Sequence, residues 1–362
     1  MRIVVNDIAA SEGGALTILK SFYDFVDHLD DGNEWIFLLG GPVVKTTPRI
    51  RTIEFPKVKA SHLRRLVFDL FTGRRLIRRL RPDVVFSLQN TFTCGLKCPQ
   101  VIYVHQSLPF QKVKNYSFLR PEERSAALVQ HGLGLIIKRS VAAADHTIVQ
   151  TNWMREAVLE QVGIEQDRIT NVLPDLEDLS GYASEERESN GIFFYPTAAS
   201  SYKNNDLVYE ACKILAKNGV PQVTVEMTVN PPAKYPGIIA LGRLSRAEVL
   251  TKLAQSTLIF PSLIETYGLP LAEARALGSL VLAADLPYAR EVLDGYENAY
   301  FFDPRSPKEL ADLMEEVADG NIVLSPRETE TVAVASNATD RSAWETIVTI
   351  IEDTAKDAGN RP

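Results

Sequence analysis

Two glutamates, Glu265 and Glu273, face each other across a Gly-Leu-Pro joint in the stretch TLIFPSLIETYGLPLAEARALG, residues 257 to 278. TLIF is apolar and β-branched and reads as a buried strand, Pro270 suits the first position of a helix, and Gly278 suits its end. Glu265 then falls in the loop and Glu273 in the first turns of the helix. The amides of Gly268, Leu269 and Leu271 are expected to point out of the helix N-terminus, where the macrodipole favours an anion; Pro270 has no N–H to contribute. A phosphate is the fitting guest. Because a carboxylate beside a phosphate repels it, Glu273 makes chemical sense if it reaches past the phosphate to accept hydrogen bonds from a ribose, with Glu265 holding hydroxyls of a second sugar. The plainer alternative is that both acids complement the helix dipole, a stabilisation of about 0.3 to 1 kcal/mol each.

Three other places carry candidate chemistry. His105 ends the apolar run QVIYVHQ, at the carboxyl edge where open α/β sheets bind ligands. Gly13 and Gly14 in SEGGAL lack the G-x-G-x-x-G spacing but allow a ligand close to the backbone at a helix start; plain turn glycines are the alternative. Lys203 lies beside a helix start in SSYKNND, where a solvated lysine is the bland reading. No D-x-D occurs, so no metal bridge to a diphosphate is indicated and no metal site is assigned.

The elements that must position these residues come in alternation. RIVVND, EWIFLLGG, DVVFSL, QVIYVHQ and HTIVQT read as buried strands, separated by helical patterns such as HLRRLVFDLFTGRRLIRRL and NWMREAVLEQVG. Strands alternating with helices imply a parallel sheet covered on both faces. The polar stretch SGYASEERESNG suits a linker, with a boundary near 175 to 190. The alternation then restarts with GIFFYPT, NDLVYEACKILAKNG, VTVEMTV, RAEVLTKLAQS, TLIF, PLAEARALG and LVLAAD. The expected architecture is α/β: two doubly wound Rossmann-like domains, 1–175 and 190–337, facing a central cleft. A terminal helix in 338–362, SAWETIVTIIEDTA, is expected to cross back to the first domain.

With 362 residues, 45% hydrophobic and 23% charged, the chain is long enough for two cores and has the composition of a globular protein. A net charge of −7 argues against a general nucleic-acid binder. Cys94, Cys98 and Cys212 are odd in number and fit no zinc or redox spacing, so reduced thiols in a cytoplasm are expected. The opening MRIVVNDIAASEGG has no long apolar run, and no run of 18 apolar residues occurs, so neither export nor a membrane span is expected. The segment 59–83 carries eight Lys/Arg against two Asp, interleaved with apolar residues at helical intervals. It reads either as a helix packing on the sheet or as a peripheral contact with anionic lipid at the inner face of a membrane.

The motif FPS followed by ETYGLPLAE resembles the Glu-x7-Glu signature of family 4 glycosyltransferases, retaining enzymes with the GT-B fold. The likeness covers most of the chain: ADHTIVQTNWMREAVLE is similar to the segment closing their first domain, and FFYPTAASSYKNNDLVYEAC to the phosphate loop opening the second. The resemblance implies a nucleoside-diphosphate sugar of UDP or GDP type as co-substrate, no other cofactor, and a glycan or lipid-linked acceptor in bacterial surface-polysaccharide assembly. It implies that Glu273 binds the ribose, that the Gly268 and Leu269 amides and Lys203 hold the diphosphate, that Tyr267 is among the donor-binding residues, and that Glu265 and His105 face the donor sugar as the catalytic residues. Gly13 and Gly14 would lie beside the diphosphate, and Arg243 and Leu244 in ALGRLSRAEVL would read the nucleobase through their backbone. Ala198 stands where many members carry an arginine, so one expected cation is absent. A nucleotide-sugar epimerase of the same architecture and a non-catalytic nucleotide-sugar-binding partner are the alternatives.

Overall fold

The computed structural model describes residues 1–10, 13–59, 61–182, 191–220, 222–325 and 341–359. Short apolar runs without helical periodicity become parallel strands, the central ones buried on both faces. Seven of them form one sheet: β1 (Arg2–Asp7), β2 (Glu34–Leu39), β3 (Ile50–Glu54), β4 (Val84–Ser87), β5 (Gln100–Tyr103), β6 (His146–Val149) and β7 (Ile169–Asn171), in the order β3-β2-β1-β4-β5-β6-β7. Six form another: β8 (Ile192–Tyr195), β9 (Thr224–Met227), β10 (Ile238–Ala240), β11 (Thr257–Phe260), β12 (Val281–Ala284) and β13 (Ala299–Phe302), in the order β10-β9-β8-β11-β12-β13. The pairs on either side of β1 and β8 are parallel. Each sheet therefore has a switch point, β1/β4 in the first and β8/β11 in the second. There the connections leave neighbouring strands in opposite directions and open a crevice at the strands' carboxyl ends.

The chain divides into two compact units, one built from 1–110, 128–175 and 337–362, the other from 111–127 and 176–336. In the first, Ile3, Phe22, Trp35, Phe37 and Phe86 pack with Trp344, Ile347 and Ile351 of the final helix Ala343–Gly359. The Trp344 ring lies 5.0 Å from that of Phe22, and its Nε1 donates to Ser21 Oγ at 2.8 Å. Asp175 accepts the Ala343 N–H with both carboxylate oxygens at 2.9 Å, satisfying a donor that the helix start leaves over. In the second unit, the segment 111–127 is organised by buried Glu123, which takes Lys114 at 2.9 Å, Arg120 at 3.2 Å and the Ser117 N–H at 2.9 Å. Parts of the expected linker (183–190) and of the polar interval before the last helix (326–340), with Ser11 and Glu12 of SEGG, lie outside the described residues.

The basic segment departs from the single helix its pattern predicts. It runs as the helix His62–Val67, a π-helical turn Phe68–Thr72 and the helix Gly73–Leu80. A Cβ on Gly73 would stand 2.7 Å from the Phe68 ring and 2.8 Å from its carbonyl oxygen, so only glycine lets the wide turn close. The extra residue of such a turn shifts the helix face, and Asp69 is buried beside Phe68.

Candidate functional site

Lys203 and Glu265 meet because their loops leave adjacent strands at the second sheet's switch point. After β8 the chain passes through a 3-10 turn, Ser201–Lys203, and Asn204 at φ 57° before the helix Asn205–Asn218. After β11 it passes Pro261 to Gly268 before the helix Leu269–Ala276. The two loops are tied together: Leu263 N–H donates to Tyr202 O at 2.8 Å, and Asn204 Nδ2 to Pro261 O at 3.3 Å. Tyr195 Oη donates to Lys203 O and Tyr288 Oη to Ser262 O, each at 2.5 Å. Lys203 Nζ then reaches Glu265 Oε1 at 2.5 Å, both side chains less than a fifth exposed. Burial works against the ammonium, but the Glu265 carboxylate outweighs it and holds Lys203 above the ordinary lysine value. Lys203 is therefore charged throughout the neutral range.

Gly268 starts the next helix at φ 85°, a left-handed conformation that favours glycine, with Tyr288 and Leu271 against it. The sequence reading put three amides at this helix start; the structure withdraws one. Leu271 N–H turns inward to Gly268 O at 2.8 Å, which leaves the N–H groups of Gly268 and Leu269 without an acceptor among the described residues. Pro270 occupies the second helical position rather than the first. Tyr267 is buried at the same corner.

Glu273 is 1% exposed and is met by Arg246, whose Nη2 stands 2.7 Å from its Oε1. Arg246 also takes Glu177 Oε1 at 2.6 Å and 2.8 Å through Nη2 and Nε. Burial pushes the Glu273 carboxyl above its ordinary value; Arg246 opposes the shift and Glu177 adds to it. Arg246 is held at the first residue of the helix Arg246–Gln255 by a reciprocal cap, Glu248 N–H to Ser245 Oγ and Ser245 N–H to Glu248 Oε2. Exposed Arg243 and half-buried Leu244 lie on the loop leading into that cap. The sequence reading did not single out Arg246 or Glu177, although Ser245-x-x-Glu248 marks the helix start that places the arginine.

Gly13, Gly14 and His105 belong to the first unit. Gly13 is the first residue of the helix Gly13–His28, and nothing lies within 4 Å of where a Cβ on Gly14 would stand, so packing does not require glycine there. His105 follows β5. Its N–H donates to Asn90 Oδ1 at 2.5 Å, its ring lies 4.2 Å from the Tyr103 ring, and its Nε2 is buried without a partner. Burial lowers its pKa to about 4, so the imidazole is neutral. Among the described residues no cluster of His, Cys, Asp and Glu could hold a metal ion.

The chain matches two family descriptions, Glycosyltransferase Family 4 over residues 34–173 and Glycosyl transferases group 1 over residues 236–331. No curated protein matches it significantly. Among solved structures, the apo lipopolysaccharide outer core galactosyltransferase WaaB is 14% identical with a TM-score of 0.63, covering 98% of this chain and 99% of that one. HepE of Anabaena in complex with UDP-glucose is 16% identical with a TM-score of 0.60 over the whole of both chains. An α,α-trehalose-phosphate synthase (UDP-forming) from Burkholderia vietnamiensis is 14% identical with a TM-score of 0.67, covering 97% and 99%. Such identities speak for the fold alone, but the two matched segments fall in chain order on the two sheets. By these matches and by its architecture, the chain is a glycosyltransferase of the family 1/4 type with the GT-B fold.

Proposed function

We propose that the chain moves a sugar, with retention of anomeric configuration, from a nucleoside-diphosphate sugar to a glycan or lipid-linked acceptor in surface-polysaccharide assembly. The observation that carries the donor half is the second switch point. There two free amides, a lysine held in its charged form and two carboxylates flank one helix start. Glu273 accepts from the ribose hydroxyls. Gly268 and Leu269 N–H, Lys203 and Tyr267 hold the diphosphate, and Glu265 with neutral His105 takes hydroxyls of the transferred sugar. Gly13 and Gly14 lie beside the diphosphate, and the Arg243-Leu244 backbone meets the base. A solved structure with UDP-glucose among the similar folds favours a UDP donor.

When the glycosidic bond to the diphosphate breaks, negative charge grows on the leaving oxygen. Lys203 and the amides meet it in place, without a metal, and preorganised donors of this kind contribute several kcal/mol to the transition state. No side chain is assigned as a nucleophile. The basic, partly apolar segment 59–83 supplies a peripheral contact with anionic lipid on the cytoplasmic face of a membrane.

A thermal-shift panel of UDP-, GDP- and ADP-sugars tests the donor class. A ligand at about 100 times its Kd stabilises by about 2.7 kcal/mol. No shift with any nucleotide sugar would refute the assignment. Proton NMR of the product reads the anomeric configuration, and an epimerised donor in the absence of acceptor would count against transfer.

A further inference from the structure

β5 ends at Tyr103, and the last ladder bond beyond it runs from Val104 N–H to Ile148 O at 2.9 Å. On the other side the pairing with β4 stops at Ser87 opposite Ile102, and Leu88 N–H turns to Asn6 O of β1 at 3.1 Å. The next two N–H groups, those of His105 and Gln106, are past the reach of the sheet and need an acceptor from elsewhere. One atom takes both: Asn90 Oδ1 lies 2.5 Å from His105 N and 3.0 Å from Gln106 N. Among the described residues the His105 ring makes no hydrogen bond; its Nε2 is buried without a partner, and it leans on the Tyr103 ring at 4.2 Å. The imidazole is thus placed through its backbone, and that backbone through Asn90.

Asn90 stands at φ 67°, in the left-handed region that asparagine enters more readily than most residues. The residues on both sides of it are pinned to one carboxylate. Gln89 Nε2 donates to Asp69 at 3.0 Å and 3.1 Å, and Thr91 Oγ1 at 2.7 Å. Ser87 Oγ closes the loop by donating to Thr91 O at 2.6 Å. The π-helical turn Phe68–Thr72, with its one extra residue, brings Asp69 to this place. An acid buried to 5% exposure is costly to keep unless its hydrogen bonds are used, and here they fix the loop that carries Asn90. The second sheet has the same device beside Lys203: Asn204, at φ 57°, ties its loop to Pro261 O and Pro304 O.

We infer that Asn90 is a positioning residue for the transfer step: with its loop anchored on Asp69, its carboxamide fixes the backbone of His105 and Gln106 and, through it, the imidazole that meets the transferred sugar. The inference rests on the reading of His105 given under the proposed function and adds the parts that hold it. It also gives a use to two features that the donor site leaves idle, the buried acid and the π-helical turn.

Asn90→Gly keeps the left-handed backbone and removes the acceptor, whereas Asn90→Asp keeps both. Amide hydrogen exchange at His105 and Gln106, read by mass spectrometry on the full chain, should quicken at least about tenfold in the glycine variant and stay within about threefold of wild type in the aspartate variant. The reaction is followed as UDP release from UDP-glucose without acceptor. Asn90→Gly should lower kcat at least about tenfold, since a misplacement of about 1 Å suffices, and change KM by less than about threefold. Asn90→Asp should restore most of that kcat. In the His105→Ala background the same glycine substitution should cost less than about twofold, because nothing is left to position; an asparagine that only stabilised the fold would cost the same in both backgrounds. The inference is overturned if exchange at His105 and Gln106 is unchanged in Asn90→Gly, if the kcat losses of Asn90→Gly and His105→Ala multiply, or if UDP affinity measured by calorimetry falls together with kcat. The donor reading fails separately, by a wild type that does not bind UDP or a His105→Ala that keeps its full kcat, and the exchange measurement then still decides whether Asn90 holds the segment.

Discussion

At the second sheet's switch point, buried acids are answered by cations: Lys203 against Glu265, and Arg246 against Glu273 and Glu177. At the first sheet's carboxyl edge, Asp69 is held by a hydroxyl and an amide, and burial pushes its carboxyl up to about 6. Nearby His105 is driven neutral by burial, with Nε2 unpartnered. One topology thus carries two electrostatic designs. Paired charges in a half-dry crevice can be redistributed when a charged ligand arrives, since the ligand replaces a partner rather than uncovering a bare ion. At the first edge burial shifts both groups towards their neutral forms, and the contacts made to Asp69 are hydrogen bonds from neutral donors rather than a close ion pair.

The strongest way to break the contrast is to unpair one charge in the second crevice. Lys203→Met leaves the Glu265 carboxylate with under a fifth of its side chain exposed and no cation in contact. A loss of about 3 to 5 kcal/mol in stability is expected, with sugar transfer abolished. Lys203→Met with Glu265→Leu should recover most of the stability in a denaturant titration and none of the activity. Recovery of both would remove the pair from the chemistry and leave it as packing.

Next in size is a pH effect confined to the first unit. Asp69 has a folded pKa of about 6, above its unfolded value, so the stability it contributes is present below about pH 4 and lost as pH rises through 6. His105 has a folded pKa of about 4, below its unfolded value, so its contribution is present above about pH 6.5 and lost as pH falls through 4. Each is on the order of 3 kcal/mol, and the two oppose each other over the same window. Asp69→Asn should expose the histidine slope, with stability rising from about pH 4 to 6.5, and His105→Gln the carboxyl slope, with stability falling. Parallel slopes in the two variants would contradict the opposed shifts that burial gives Asp69 and His105.

Arg246→Gln sharpens the contrast from the other side. Without the guanidinium, burial acts on Glu273 almost unopposed, and its carboxyl takes up a proton at higher pH. UDP-glucose binding should weaken by about 1.5 to 3 kcal/mol, roughly tenfold to a hundredfold, and recover partly as pH is raised. Calorimetry that found the loss independent of pH would show that the ionisation of Glu273 is not what Arg246 protects.

Arg246 also marks the limit of what the sequence discloses. Both glutamates, Lys203 and the Gly268 corner were legible because a strand, a breaker and a helix start follow one another in a few residues. The guanidinium that governs Glu273 arrives from a different βα connection, and no local pattern announces such a meeting. Asp69 did leave a signal, an acid among apolar residues of an amphipathic run, but a charge count over 59–83 sets it only against the eight Lys/Arg. Sheet edges failed for a related reason. The strands left out of the sequence reading, β3, β7, β10 and β13, are the four edges. In IRTIE and ITN polar residues break up the apolar run that betrays a central strand, while IIA and AYFF are apolar but only three and four residues long.

The smallest expected effect tests whether Arg246 is placed by its helix or by its charges alone. Ser245→Ala removes one half of the reciprocal cap and should lower stability by about 1 kcal/mol. Arg246 is the first residue inside that cap, so fraying of the turn gives its guanidinium alternatives to the position between Glu177 and Glu273. A fewfold loss in UDP-glucose affinity is then expected beyond what Arg243→Ala produces on the same loop. If Ser245→Ala costs stability while donor affinity stays at the wild-type value, the two carboxylates hold Arg246 without the helix. The second crevice is then set by its charges rather than by its backbone.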